Sequence, residues 1–168
     1  MESAQMLSTL QRANDIDALL EEIKTTKFIG EVTHKEIEGH ISNGTIRFLY
    51  EDDKLLGFGA WQIVNPQWRE IGPLYVIEAA REKGVARQVI DEMFAINAAY
   101  NLYVVTKNPV IGYLAKQYQF SQTSMVKLPK PLKIHLIRKF NLVRIIHLLT
   151  KFSRDPVLHY IRKVENEK

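Results

Sequence analysis

The sequence predicts a mixed α/β fold of the α+β kind: a mostly antiparallel central sheet flanked by helices, with a basic helical extension at the C-terminus. Three observations predict it. Apolar residues recur at helical spacing through the first forty positions, three strand-like runs joined by short turns follow from Thr45 to Ile77, and helical and strand patterns then alternate as far as Phe120. With 168 residues, the chain has the length of one domain of roughly 150 residues plus an appendage. We place the main domain at residues 1–128 and the extension at 129–168, packed on or beside it.

In order, Ser3 is placed to cap a segment with Met6, Leu7 and Leu10 on one face. Asn14 or Asp15 is placed to cap a second helix with Ile16, Leu19, Leu20 and Ile23 inward. Thr33, three residues before Glu36, has capping-box spacing ahead of Ile37 and Ile41. Asn43-Gly44 ends the helical region. Strands are expected at Thr45–Tyr50, Leu55–Val64 and Trp68–Ile77, separated by the acidic turn Glu51-Asp52-Asp53 and by Asn65-Pro66. Gly57-Phe58-Gly59 lies inside the second strand and suggests a bulge. A helix is expected over about Gly84 to Ala99, a buried strand at Leu102–Thr106, a helix opened by Pro109, and a strand within Phe120–Lys127. Pro129-Lys130-Pro131 reads as punctuation, because proline donates no hydrogen bond and pushes the residue before it toward extended backbone. Beyond it, Leu142, Ile145, Ile146, Leu149 and Phe152 share one helix face, and Asp155-Pro156 resembles the start of a final helix with Leu158 and Ile161 inward.

The composition excludes several chemistries. The chain has no cysteine, so it has no disulfide, no thiolate zinc site and no cysteine nucleophile to hold a thioester. Its longest charge-free stretches, Leu55–Trp68 and Met93–Thr106, have fourteen residues each and fall short of a bilayer span. The N-terminus, Met1-Glu2-Ser3-Ala4-Gln5, is acidic and polar, unlike a secretory signal, and the expectation is a soluble cytoplasmic protein. His34, His40, His135, His147 and His159 show no metal-ligand spacing with carboxylates; surface positions are expected for them, and no metal site is assigned. Asn43-Gly44-Thr45 matches a glycosylation sequon, but a connecting turn is the better reading.

The stretch with chemical content is Gly72-Pro73-Leu74-Tyr75-Val76-Ile77-Glu78-Ala79-Ala80-Arg81-Glu82-Lys83-Gly84-Val85-Ala86-Arg87, read as strand, loop and helix start. Small residues at Gly84 and Ala86 let a ligand approach the backbone. The unpaired N–H groups of a first helical turn favour an anion, and Lys83 and Arg87 add positive charge. For the six residues Arg81 to Ala86 alone, an ordinary tight strand-to-helix turn containing a glycine is the favoured reading.

Arg81-Glu82-Lys83-Gly84-Val85-Ala86 fits the pattern Gln/Arg-x-x-Gly-x-Gly/Ala of the acyl-coenzyme A loop in the GNAT superfamily of N-acetyltransferases, which the region from about Thr45 to Phe120 resembles in the order and spacing of its elements. The resemblance implies direct transfer of an acetyl or other acyl group from coenzyme A to an amine, with acetyl-CoA or another acyl-CoA as cofactor. It implies that the backbone N–H groups of Glu82 to Arg87 hold the pyrophosphate. The main chain of Leu74, Tyr75 and Val76 would pair with the pantetheine arm, with Asn108 beside it; a helix cap before Pro109 is the competing reading of Asn108. Glu70 is the candidate base, against a solvent-facing strand carboxylate. Tyr113 is the candidate acid, against a tyrosine at the core edge. Trp61 and Trp68 read as core, with an acceptor pocket as the other option. The chain departs from the family at four places: Glu78 stands where proline is common, Glu82 and Gln119 where glycine is common, and Ala115 where a tyrosine often reprotonates the thiolate.

The net charge of +4 divides unevenly: residues 1–120 hold 12 basic and 16 acidic residues, and residues 121–168 hold 11 and 3. Arg144, His147, Lys151 and Arg154 share the polar face of the expected basic helix. Packing on the sheet or on a second copy of the chain is favoured over an anionic membrane surface or nucleic acid as its partner. The alternative to an enzyme is a non-catalytic module of the same fold that binds acyl-CoA, a protein or a membrane. An amine, small or protein-borne, is the expected acceptor.

Overall fold

A computed structural model describes residues 14–23, 32–139 and 157–164. A first helix, α1, covers residues 14–23 and buries Ile16, Leu19, Leu20 and Ile23, the four positions its spacing selected. Asn14 and Asp15, expected as caps, are already helical. The capping box at α2 (His34–Ser42) is present as read: Glu36 N–H donates to Thr33 Oγ1 at 3.2 Å and Thr33 N–H to Glu36 Oε2 at 3.0 Å. Gly44, at φ +64°, turns the chain from α2 into β1.

The strands β1 (Ile46–Glu51), β2 (Lys54–Asn65) and β3 (Trp68–Val76) follow their expected positions closely. Asp52 and Asp53, both at positive φ, make the two-residue turn between β1 and β2, as aspartates can where glycine is absent. The β1–β2 register slips between Leu49 and Tyr50, opposite Gly57 and Leu55, so the irregularity falls beside the first of the two strand glycines. At Asn65, the side chain Oδ1 accepts from the N–H groups of Gln67 and Trp68 at 2.9 and 2.8 Å and closes the second turn. Then come α3 (Val85–Ile96), β4 (Asn101–Thr106), α4 (Pro109–Gln117), β5 (Ser121–Thr123), α5 (Lys130–Lys139) and β6 (Leu158–Arg162). The six strands lie in the order β1-β2-β3-β4-β6-β5, mostly antiparallel, with β3 and β4 parallel.

Two compact units divide the chain: one takes the residues up to Trp61 with Pro73–Ile96, the other Gln62–Gly72 with the residues from Asn97 onward. In the first, successive β2 residues point to opposite faces. Phe58 and Ala60 enter a core with α1, Ile37 and Tyr75. Gly59 faces α3, where a Cβ would lie 2.6 Å from Val89 and Met93, so only glycine seats this helix on the strand. In the second unit, α5 covers Trp68 and Tyr103 with Leu132 and Leu136, together with Leu128. On the other face, Tyr160 of β6 meets Gly112 of α4 so closely that a Cβ there would lie 2.7 Å from its hydroxyl.

Three expectations are corrected. The segment after Asp155-Pro156 is the strand β6 rather than a helix; it pairs antiparallel with both β4 and β5. Five residues are too few to favour a helix on their own, and two strand edges offer ladder hydrogen bonds on both sides. Pro129 and Pro131 do not interrupt the chain; they open α5, with Lys133 N–H donating to Pro129 O at 3.2 Å. In a first turn the missing proline N–H costs nothing. The strand expected in Phe120–Lys127 is confined to Ser121–Thr123, followed by a short 3₁₀ turn at Met125–Lys127. The segments with Met6, Leu7 and Leu10, and with Leu142 to Phe152, lie outside the described residues, as do Arg144, His147, Lys151 and Arg154. No helix among the described residues is long and apolar enough to cross a membrane.

Gln119, at φ +64°, occupies a left-handed position just after α4, where the family pattern places glycine. Gln119→Gly is expected to raise stability by about 0.5–1 kcal/mol, read as a shift in the urea midpoint. An unchanged midpoint would mean that the loop relaxes the strain by itself.

Candidate functional site

In the first unit β3 ends at Val76. Ile77 N–H still donates to Leu56 O at 2.9 Å, a 3₁₀ turn follows at Glu78–Ala80, and Arg81–Gly84 lead into α3. Gln88 N–H donates to Gly84 O at 3.1 Å, which makes Gly84 the residue that caps α3. The amides of Val85, Ala86 and Arg87 are therefore those of its first turn, which have no acceptor within the helix. Gly84 has φ +83°, and a Cβ added to it meets nothing within 4 Å, so the space beside it is open. Lys83, the residue before Gly84, and Arg87, in the first turn of α3, are both exposed. These features fit a pyrophosphate: outward amides at the positive end of a helix, two cations, and a backbone a ligand can approach.

Glu82, the family's glycine position, has φ +64° and is exposed. Glu82→Gly is expected to stabilise the fold by about 0.5–1 kcal/mol and, by removing a carboxylate beside the anion site, to tighten coenzyme A binding. Calorimetry and denaturant melts of the same protein check both effects.

Arg81 lies back along β3. Its Nε donates to Val76 O and its Nη2 to the Tyr75 hydroxyl, each at 3.3 Å, with the guanidinium 5.8 Å from the Tyr75 ring centre. The Tyr75 ring is buried, and its hydroxyl donates to Glu22 Oε1 at 2.9 Å. The same oxygen accepts Glu78 N–H at 2.7 Å. Nothing in the sequence marks Glu22, a helix carboxylate, as the partner of a strand end more than fifty residues away. Glu22 also lines an open cavity of about 290 Å³ with Asp15, Leu19, Lys54, Leu55 and Ile77, but none of Arg81–Arg87 borders it.

In the second unit Glu70 is buried, at 4% exposure, so the solvent-facing alternative is wrong. His135 Nε2 lies 2.6 Å from Glu70 Oε2, and Lys139 Nζ donates to Oε1 at 2.7 Å. Burial alone would push its carboxyl up. The hydrogen bond from His135 and the charge and hydrogen bond of Lys139 outweigh this and hold it below the usual carboxylate value. Tyr103 is the β4 partner of Glu70 in the sheet register. Burial, with the Glu70 charge added, raises its phenol well above the ordinary value, and its hydroxyl is 2.7 Å from His159 Nδ1. Burial lowers the His159 pKa. Two of the five histidines expected at the surface, His135 and His159, are thus half-buried and bonded to the buried residues Glu70 and Tyr103. His135 and Lys139 stand four apart on α5 and so share a face, which sequence can show; that Glu70 meets that face it cannot.

The remaining candidates scatter. Asn108 caps α4, with Oδ1 accepting from Val110 N–H at 2.9 Å. Tyr113 is 64% exposed and accepts from Gln117 Nε2 at 2.9 Å, so it is not at a core edge. Ala115 is buried, as are Trp61 and Trp68. The backbones of Leu74, Tyr75 and Val76 belong to the part of β3 beyond its recorded pairing with β4, which covers Trp68–Glu70 against Asn101–Tyr103.

The model of the acetyltransferase (GNAT) family matches residues 14–114. No curated protein matches the chain. Among solved structures, the chain is similar to N-acetylglutamate synthase from Neisseria gonorrhoeae complexed with coenzyme A and N-acetyl-glutamate, at 17% identity and a TM-score of 0.65; the alignment covers 90% of this chain and 32% of that one, so this chain spans about a third of that enzyme. Rv2747 from Mycobacterium tuberculosis, in complex with CoA and NLQ, aligns at 12% identity and a TM-score of 0.66, over 89% and 95% of the two chains. Arabidopsis thaliana Naa50, with a bisubstrate analogue CoA-Ac-MVNAL, aligns at 12% identity and a TM-score of 0.62, over 89% and 93%. These likenesses establish the shared fold, and the family match over more than half of its length establishes the kinship: this chain belongs to the GNAT family of acetyltransferases.

Proposed function

We propose that the chain moves an acetyl group from coenzyme A directly onto an amine. The observation that carries this is the Arg81–Arg87 loop, where Gly84 at φ +83° opens the N-terminus of α3 beside Lys83 and Arg87, in a chain of the acetyltransferase family. The amides from Glu82 to Arg87 hold the pyrophosphate, and the β3 main chain at Leu74, Tyr75 and Val76 pairs with the pantetheine arm as an added strand would. Arg81 contributes by fixing the loop to β3, and Asn108 by fixing the start of α4. When bound, the coenzyme supplies the acyl group as an activated thioester. The absence of cysteine leaves direct attack by the amine in place of a cysteine acyl-enzyme.

An ammonium must lose a proton before it can attack. Glu70, held ionised, is a weak acceptor alone; with His135 Nε2 2.6 Å from Oε2 it forms a carboxylate–imidazole pair in which the carboxylate orients the ring. Tyr113 carries an exposed hydroxyl on α4 for returning a proton to the thiolate, in place of the tyrosine common in the family where this chain has Ala115. The bound molecules of the similar structures, an acylated amino acid in one and an acylated peptide mimic in another, favour a small-molecule or peptide amine as acceptor.

Calorimetry with coenzyme A tests the cofactor, and free-thiol release with amino acids, polyamines, aminoglycosides and peptides tests the transfer. Saturable binding and acceptor-dependent release are expected. Binding without release for every acceptor would leave a non-catalytic acyl-CoA module. Glu70→Gln is expected to keep coenzyme A affinity within about threefold while lowering kcat at least tenfold, in the range general-base catalysis supplies. Unchanged kcat would remove the pair from the chemistry.

A further inference from the structure

We propose that Glu22 of α1 is a positioning residue for the acyl-CoA loop, coupling the first helix to the affinity for coenzyme A; this rests on the assignment of Arg81–Arg87 as the pyrophosphate site. One carboxylate oxygen, Oε1, takes two donors that belong to different parts of the loop's frame. Glu78 N–H, at 2.7 Å, is the amide that opens the 3₁₀ turn after β3. The Tyr75 hydroxyl, at 2.9 Å, belongs to β3 itself. That hydroxyl also accepts from Arg81 Nη2 at 3.3 Å, while Arg81 Nε holds Val76 O at 3.3 Å. The chain Glu22–Tyr75–Arg81 therefore pins both ends of the Ile77–Ala80 segment, with Arg81 clamped onto the strand it has just left.

The loop needs such an anchor. It contains two left-handed positions within three residues, Glu82 at φ +64° and Gly84 at φ +83°, and the first carries a side chain. A non-glycine residue at that backbone is held by its surroundings rather than by its own preference. Its outward amides bind an anion well only if they are already aimed before the anion arrives, since ordering them on binding weakens affinity. Glu22 supplies the aim without touching the ligand. Both donors to this oxygen are neutral, so a carbonyl oxygen at the same reach can take its place.

Three variants separate these effects. Glu22→Gln keeps a carbonyl acceptor at the same reach and removes the charge, so coenzyme A should bind as well as to the native chain or tighter. Glu22→Ala should weaken binding at least tenfold by calorimetry and raise the KM for acetyl-CoA, with kcat and the acceptor KM within twofold. Tyr75→Phe, which cuts the relay but leaves the Glu78 N–H bond, should fall between them. Circular dichroism and melting confirm that each is folded at the assay temperature; loss of folded protein lowers kcat and leaves KM unmoved. Hydrogen exchange of the amides from Glu78 to Arg87 should accelerate in Glu22→Ala with no ligand present. Native affinity and native exchange in Glu22→Ala would overturn the proposal, as would a glutamine variant as weak as the alanine one. Failure of the native chain to bind coenzyme A overturns the assignment of the loop instead, and the exchange measurement still decides whether Glu22 holds it.

Discussion

Replacing Gly84 by tryptophan is expected to abolish coenzyme A binding, by at least about 100-fold or 2.7 kcal/mol in calorimetry. Any side chain at φ +83° is strained by about 1–2 kcal/mol, and that cost is common to all substitutions at this position. Gly84→Ala isolates it: its Cβ would meet nothing within 4 Å, so the loop keeps its shape and affinity should change only a few-fold. Tryptophan carries the same backbone cost but fills the open space in front of the Val85, Ala86 and Arg87 amides. The difference between the two variants reads the ligand's occupancy of that space. Equal affinities would mean that the pyrophosphate lies elsewhere.

The second large effect concerns Glu70. Glu70→Ala is expected to cost about 3–5 kcal/mol in denaturant unfolding, since it leaves Lys139 facing a buried position without its counter-charge and His135 without its hydrogen-bond partner. Lys139, the more exposed of the two, can turn toward water, which places the expectation at the lower end of that range. A loss under 1 kcal/mol would show that α5 is held by Leu132 and Leu136 alone. The same cluster sets a pH dependence. Glu70 is lowered from 4.5 in the fold, so the stability it contributes is complete above that value and is lost as pH falls below it. His159, lowered from 6.5 by burial, takes up a proton more readily when unfolded, so stability begins to fall as pH drops through that value. Tyr103, raised above its ordinary 10.0, has the opposite sense: the unfolded chain ionises first, and stability falls above pH 10. Melting temperatures should therefore be highest between about pH 6.5 and 10 and fall on both sides. In His159→Gln the first acid decline should move toward the carboxylate range.

Much of the site's frame was legible in the sequence because it depends on local physics. The capping box at Thr33 and Glu36, the cap at Asn108 and the glycine that opens α3 are each closed by residues two to four apart, within reach of one another whatever the rest of the chain does. The two departures from the family pattern at Glu82 and Gln119 were also visible, and the structure gives them a common meaning: both stand at φ +64°, where glycine costs least. Two histidines depart from their expected surface positions for the converse reason. His135 and His159 carry no mark of burial in their own neighbourhoods; they are half-buried where Glu70 and Tyr103, 65 and 56 residues away, meet them.

By itself the sequence determined the helices and strands up to α4, the mixed and mostly antiparallel sheet, the loop with the acyl-CoA pattern, and a chemistry without cysteine. These follow from periodicity, capping and composition, which act over a turn of helix or a pair of strands. Only the tertiary structure decided that Leu158–Arg162 is a strand, that Glu70 is ion-paired rather than free, and that Glu22 accepts from the Tyr75 hydroxyl and from Glu78 N–H. Each of those depends on a partner supplied by a distant segment: a five-residue run takes the conformation its neighbours' open hydrogen bonds demand, and a carboxylate takes the charge state its surroundings allow.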